Sequence, residues 1–295
     1  PKSFIADTFT AITLNDFWGC NSRCVYCNVE NSPDAEYRAL AKRSTRFPHS
    51  ELVTNLLDAD RIRPGDTIIN WGGGEPTLLA DFEQTVSLLS AYGIRENVNT
   101  SGIRFSPALE QGLSAGLVAV CVSPDAGTAE TYQAVKQNPR FDSVWESIER
   151  YASTAGDLSV KYILFSMNSS SSEVEAFVTR CIEAGVPRIT ISVDARSVFD
   201  IGSEAPPVAE QELQAAALMR NLAVASGIAV RFETGIWTKG QLGRIAEIGD
   251  FSIGEDAPET GGTSVRTRLR SVASHLIGEQ RLQRLMTWLR RAKEV

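Results

Sequence analysis

The sequence predicts an α/β protein, a closed or partly open barrel of βα units with a helical C-terminal extension. Three observations predict it. Short runs rich in Val, Ile and Thr alternate with longer runs of helical period along most of the 295 residues. Each short run is closed by turn residues, so the alternation reads as repeated βα units with right-handed crossovers. Polar and glycine-rich tripeptides also recur just after successive short runs, where a barrel of this kind carries its chemistry.

The candidate strands lie at residues 8–14, 66–71, 96–100, 117–123, 159–165, 188–193 and 228–232. Six or seven such units suffice for a closed or partly open barrel. Between them, Phe141, Val144, Trp145, Ile148 and Tyr151 follow i, i+3, i+4 spacing, as do Val174, Phe177, Val178, Cys181 and Ile182. Residues 235–263 are rich in Gly and acidic side chains and are expected as loop with short helix, and as a lid over the site. Beyond them, Leu269, Val272 and Leu276, then Leu282, Leu285 and Leu289, predict two helices. Residues 1–233 are thus expected as the barrel, and 234–295 as a loop and helical extension packed on the same domain.

Composition narrows the class. The chain is 43% hydrophobic and 22% charged, ordinary for a globular protein, and its formal net charge is −7. A long nucleic-acid footprint asks for a basic face, so that partner is disfavoured. No apolar run approaches the roughly 18 residues that span a bilayer. The first residues, Pro1-Lys2-Ser3-Phe4, show no signal-peptide pattern and no initiator Met. The cytoplasm is the expected compartment, and a trimmed or excised chain is expected from that start.

Five cysteines occur, and Cys20, Cys24 and Cys27 lie within eight residues of one another, after the first candidate strand. An odd number so clustered is no disulfide framework and reads as metal-binding or redox chemistry. Thiolates suit soft metals, and a [4Fe–4S] cluster ordinarily takes four of them. Three would leave one iron open to a small molecule. Two alternatives stand beside this. Structural zinc wants four protein ligands in paired knuckles, and no second pair exists. A thioredoxin-like pair would leave the third cysteine idle.

The segment from Phe17 to Asn28, C-x3-C-x2-C with Tyr26 before the last Cys, resembles the radical S-adenosylmethionine (SAM) superfamily. The match continues in order through Gly73-Gly74-Glu75-Pro76, Thr100-Ser101-Gly102, where Ser101 replaces the commoner Asn, and Ser123-Pro124-Asp125. The resemblance implies a partial (βα)6 barrel of the TIM type, one [4Fe–4S] cluster on Cys20, Cys24 and Cys27, and SAM chelated at the open iron. SAM is then cleaved to methionine and a 5′-deoxyadenosyl radical that abstracts a hydrogen atom from a substrate. It implies cofactor contacts at Gly73, Gly74, Glu75, Pro76, Thr100 and Ser101, and at Tyr26 near the adenine. Strand parity adds Ser123 and Asp125 as inward groups, and Lys161 on the fifth strand, Asn168 just beyond it, and Ser192 and Asp194 on the sixth are further candidates of the same kind. Cys121 shares that parity and is a candidate hydrogen donor, although a small core Cys is the commoner case. Cys181 belongs to a helix's apolar stripe. His49 and His275 receive no role.

No cysteine follows Cys181, so the simplest cofactor set is one cluster plus SAM. The implied electron donor is a flavodoxin or a ferredoxin-like protein. The stretch 122–145 looks like a subgroup linked with glycosyltransferases and polysaccharide biosynthesis, which makes a sugar, nucleotide sugar or glycan-linked group the expected substrate. A peptide, modified by epimerisation or crosslinking, is the alternative. A non-enzymatic metal-binding module is the reading from a different class. Arg196, Asp200, Arg231, Glu233 and Trp237 are expected to rim the opening and set specificity, Arg196 by pairing with a carboxylate or phosphate.

Overall fold

The computed structural model describes residues 8–27, 48–197 and 207–252. The two helices expected near the C-terminus, His275, Asp200 and residues 253–263 of the expected lid lie outside the described residues. Seven strands form one sheet: β1 (Ala11–Leu14), β2 (Ile68–Trp71), β3 (Arg95–Thr100), β4 (Val118–Val122), β5 (Asp157–Leu164), β6 (Arg188–Val193) and β7 (Ala229–Phe232). Their order in space is their order in sequence, and every pairing is parallel. Right-handed crossovers that never reverse direction put the helices on one face, and the strand twist curls the other face inward. This is the partial barrel expected from the alternation, with the seventh strand paired into the same sheet.

The helices are α1 (His49–Asp58), α2 (Phe82–Ala91), α3 (Pro107–Ser114), α4 (Ala129–Lys136), α5 (Phe141–Ala152), α6 (Ser171–Glu183), α7 (Glu210–Ala225) and α8 (Lys239–Gly249). Short 3-10 turns occupy Pro76–Leu78 and Ala195–Ser197. Their starts are legible in side-chain chemistry: Ser106, Thr128, Ser170 and Thr238 each accept a hydrogen bond from a first-turn N–H. The helix-facing side of the sheet supplies the core, with Ile69, Trp71, Val98, Val120, Val122, Val160, Tyr162 and Leu164 all buried against helix residues such as Phe82, Ile148 and Phe177. Cys181 is fully buried there. Part of the expected lid is α8, which packs on α7 through buried Ile245 and Ala246.

The inward side is different. Strand register aligns Thr13, Asn70 and Asn97 across β1 to β3, then Asn99, Cys121 and Ser159 across β3 to β5, and Lys161, Thr190 and Arg231 across β5 to β7. Asn97 donates to Asn70 at 2.8 Å. A closed TIM barrel fills this space with branched apolar side chains. Amides, hydroxyls and charges in their place make the lumen a polar receptacle. No helix among the described residues is long and apolar enough to cross a membrane.

Candidate active site at the C-terminal ends of the strands

The cysteine loop leaves β1 and folds across the top of the sheet. Its backbone is docked on two neighbours. On one side Gly74 N–H donates to Phe17 O at 2.7 Å and Glu75 N–H to Gly19 O at 2.8 Å. A Cβ on Gly74 would overlap the Gly19 carbonyl oxygen. Gly73 combines a φ of +85° with the same kind of overlap at Phe17 O. Glycine is required here because the cysteine loop itself presses on this turn. The sequence alone had suggested ligand approach as the reason.

On the other side the loop rests on the end of α4. Arg23 N–H donates to Lys136 O and Val25 N–H to Val135 O, each at 3.0 Å, while Asn138 Nδ2 donates to Asn21 O at 2.6 Å. A turn closed by Cys27 N–H to Cys24 O, 2.9 Å, sets the last two thiols.

Glu75 is the hub of the three motifs. It is 2% exposed. Oε1 accepts from Thr77 Oγ1 and Thr100 Oγ1, both at 2.7 Å, and from Thr77 N–H at 3.3 Å; Oε2 accepts from Ser101 N–H at 2.6 Å. Pro76 opens the 3-10 turn beside it. Ser101 then donates to Asn21 Oδ1 at 3.0 Å, returning to the cysteine loop. A hydroxyl in place of the commoner amide thus still braces that loop.

Asp125 departs from the inward placement expected from parity, and Asn168, just beyond β5, is held in the framework beside it. The strand ends at Val122, and Asp125 takes a φ of +53°, so alternation no longer governs it. Its carboxylate is fully buried. Oδ1 accepts from Ile163 N–H at 2.7 Å, and Oδ2 meets Tyr26 Oη at 2.5 Å and the Lys136 ammonium. Asn168 is spent on Asp125 O, Ile163 O and Phe165 N–H. Both are framework groups. Tyr26 likewise directs its hydroxyl into that network, with its ring 5.8 Å from Phe165. Burial, then the Asp125 charge, holds the Tyr26 phenol well above its usual range.

Ser123 and Cys121 keep their parity and face the lumen, half-buried. Burial raises the Cys121 thiol above its ordinary value, against the hydrogen bond with Ser159. Lys161 pairs with Glu233 at 2.6 Å across β6, and Arg231 reaches Thr190 Oγ1 at 3.5 Å. Ser192 is buried and donates to Val193 O. Arg196 finds its carboxylate within the chain: Nε and Nη2 hold Asp194 in a fork at 2.5–3.0 Å. Trp237 does not rim the opening. It is buried and donates from Nε1 to Ile191 O at 3.0 Å.

Sequence reasoning passed over Lys136 and His49. Lys136 had a readable signal, since it lies four residues after Tyr132 and so continues the apolar stripe of a helix. His49 is buried under the loop, with Nε2 2.9 Å from Asp16 Oδ1 and its ring edge-on to Phe17.

The donor set suits an iron–sulfur cluster. None of the three thiols is tied up in a disulfide. Desolvation pushes the Cys20 thiol up to about 11, with Glu75, Cys24 and Cys27 adding repulsion; Cys24 is raised by burial too, against the pull of Lys136. Ionising Cys20 and Cys24 is thus costly until a cationic centre joins them. Among the described residues, no three His, Cys, Asp or Glu side chains form a single-ion site.

Residues 15–164 match the model of the radical SAM superfamily, and the chain belongs to that superfamily of enzymes, which use a [4Fe–4S] cluster and SAM. Mycofactocin maturase MftC of Mycobacterium tuberculosis is 27% identical over 210 residues, 70% of this chain and 51% of that protein. GTP 3′,8-cyclase of Klebsiella pneumoniae is 31% identical over 137 residues, 44% of this chain and 38% of that enzyme. The fold is similar to that of Streptococcus suis SuiB bound to precursor peptide SuiA, with a TM-score of 0.54 and 12% identity, covering 77% of this chain and 49% of that one. The chain spans about half the length of the maturase it matches. These relatives are a maturase, a cyclase and a peptide-bound protein. They give no support to the glycosyltransferase-linked subgroup.

Proposed function

We propose that this chain generates the 5′-deoxyadenosyl radical and directs it at a peptide. Cys20, Cys24 and Cys27 would hold the cluster, and Gly73, Gly74, Pro76, Thr100, Ser101, Ser123, Ser192 and Asp194 would frame the SAM site beside it. When bound, the cluster and SAM supply one-electron cleavage of the S–C5′ bond. The chain's own residues do the remainder. Glu75 fixes the glycine turn against the cysteine loop, Asp125 and Asn168 fix the loops after β4 and β5, and the polar lumen around Cys121, Lys161, Arg231 and Glu233 receives the substrate. Cys121 remains a candidate donor of a hydrogen atom to the substrate radical. The electron would come from a flavodoxin or a ferredoxin-like protein, in the cytoplasm.

The similarity to a maturase over 70% of the chain carries the peptide reading. The cyclase match favours a nucleotide or other small molecule, but it covers 44% of the chain and supports the radical-generating machinery that all three share. A sugar or glycan-linked substrate now ranks below a peptide. The test is isotopic. Reduced protein is incubated with SAM and either a deuterated peptide mixture or a deuterated nucleotide sugar. Deuterium entering 5′-deoxyadenosine from the peptides is expected; transfer from the sugar alone would overturn the reading.

A further inference from the structure

Lys136, at the C-terminal end of α4, is 3% exposed, and its ammonium contacts groups that lead back to the cysteine loop. It meets Asp125 Oδ2, itself fully buried, and Tyr26 Oη, which lies between the second and third cysteines of the motif. Its own carbonyl accepts the Arg23 N–H, between the first and second cysteines, at 3.0 Å. Its ring-face approach to Tyr26 is 5.0 Å from the centroid. Burying an ammonium is costly, and a buried pair is often no more stable than a well-packed apolar substitute. Packing alone therefore gives little reason for a lysine here. The Asp125 carboxylate keeps the group protonated against the effect of burial.

We propose that Lys136 is a positioning residue for the cluster. From beneath the loop it fixes Tyr26 between Cys24 and Cys27, and its positive charge favours the reduced form of the cluster. The argument is electrostatic. Adding one electron makes the cluster and its thiolates more negative by one charge. A cation held nearby in a low-dielectric interior stabilises that extra charge far more than one in water would. Asp125 opposes the effect, since its Oδ2 also takes the Tyr26 hydroxyl at 2.5 Å, but its Oδ1 is occupied by Ile163 N–H and the pull of Lys136 on Cys24 outweighs the push of Asp125.

This inference rests on the reading of Cys20, Cys24 and Cys27 as cluster ligands. The full chain is reconstituted anaerobically with iron and sulfide. Its midpoint potential is then read by a redox titration followed by electron paramagnetic resonance, for wild type, Lys136→Arg and Lys136→Met. Lys136→Arg should match wild type in iron content and midpoint. Lys136→Met should bind iron but reduce less readily. At a fixed solution potential its reduced-to-oxidised ratio should fall by roughly tenfold, a shift of about 59 mV to more negative potential for one electron. An unshifted midpoint in Lys136→Met, or a shift of the same size in Lys136→Arg, would overturn the proposal. If Lys136→Met does not fold, Lys136→Gln, which keeps a polar partner for the Asp125 carboxylate, carries the test. It should show a negative shift, and an unchanged midpoint would again overturn the idea. Wild type that binds no cluster at all would instead defeat the ligand reading.

Discussion

The first and last thirds of the barrel wall are tied together differently. Around β1 to β3 the loops are joined by buried, directional bonds: Glu75 takes four of them, and the cysteine loop gives its own backbone groups to Gly74, Glu75, Lys136 and Val135. Around β5 to β7 the polar groups face an open lumen. The Lys161–Glu233 pair there is partly exposed at both ends, 19% and 30%. The contrast separates two demands. A metal cluster and its bound cosubstrate need fixed geometry, so the surrounding backbone is immobilised. A substrate site needs side chains that can exchange one partner for another, and half-solvated groups do so at small cost.

Substitutions in the first region should therefore act on folding and cluster loading, and those in the second on substrate. The largest effect is expected from Glu75→Ala. It strands the buried donors of Thr77, Thr100 and Ser101 and should destabilise the chain by about 3 kcal/mol or more, with loss of bound iron. Denaturant melts and iron content check this. Gly74→Ala should follow at about 1–3 kcal/mol, because its Cβ meets the backbone of Trp18 and Gly19, which has little room to move. Equal stability and iron loading in that variant would show the loop to be loosely docked.

Glu96 gives a pH-dependent test of the same region's core. Burial raises its carboxyl to about 8, against a hydrogen bond from Trp71 Nε1 at 2.8 Å. An acid whose folded pKa is raised holds its proton more tightly when folded. Stability is then greatest below about 4.5 and declines as pH climbs toward 8, by up to about 1.4 kcal/mol per unit. Glu96→Gln should flatten that decline, and parallel stability-versus-pH curves would contradict it. The smallest stability effect belongs to Lys161→Met, under about 1 kcal/mol. Its expected signature is a higher KM for the substrate, and unchanged KM would remove Lys161 from the lumen's recognition surface.

The same contrast explains what could be read from the sequence. The seven strands, the helices around Val144 and Val174 and the location of the cysteine loop followed from short-range period and spacing, which local sequence encodes. Ser101 and Glu75 were placed at the correct strand ends for the same reason. What failed was the extension of strand parity beyond the strand. Asp125 adopts a left-handed φ just past Val122, and nothing in Ser123-Pro124-Asp125 announces that its carboxylate turns under the sheet. Arg196 was expected to pair with a ligand's carboxylate or phosphate; Asp194, two residues away, takes that fork instead, a local turn effect. Trp237 is fixed by an acceptor 46 residues away on β6. Such long-range partners have no short-range signature. Lys136 is the intermediate case, since its position on an apolar stripe was visible and only its partner Tyr26 was not.

If three thiolates of one docked loop hold a cluster at which SAM is cleaved, wild type and Cys24→Ala must differ after anaerobic reconstitution and reduction with dithionite. The wild type should be brown and convert SAM to 5′-deoxyadenosine, and the variant should be colourless and inactive. A colourless wild type holding stoichiometric zinc, or a Cys24→Ala variant that still cleaves SAM, would contradict the cluster reading.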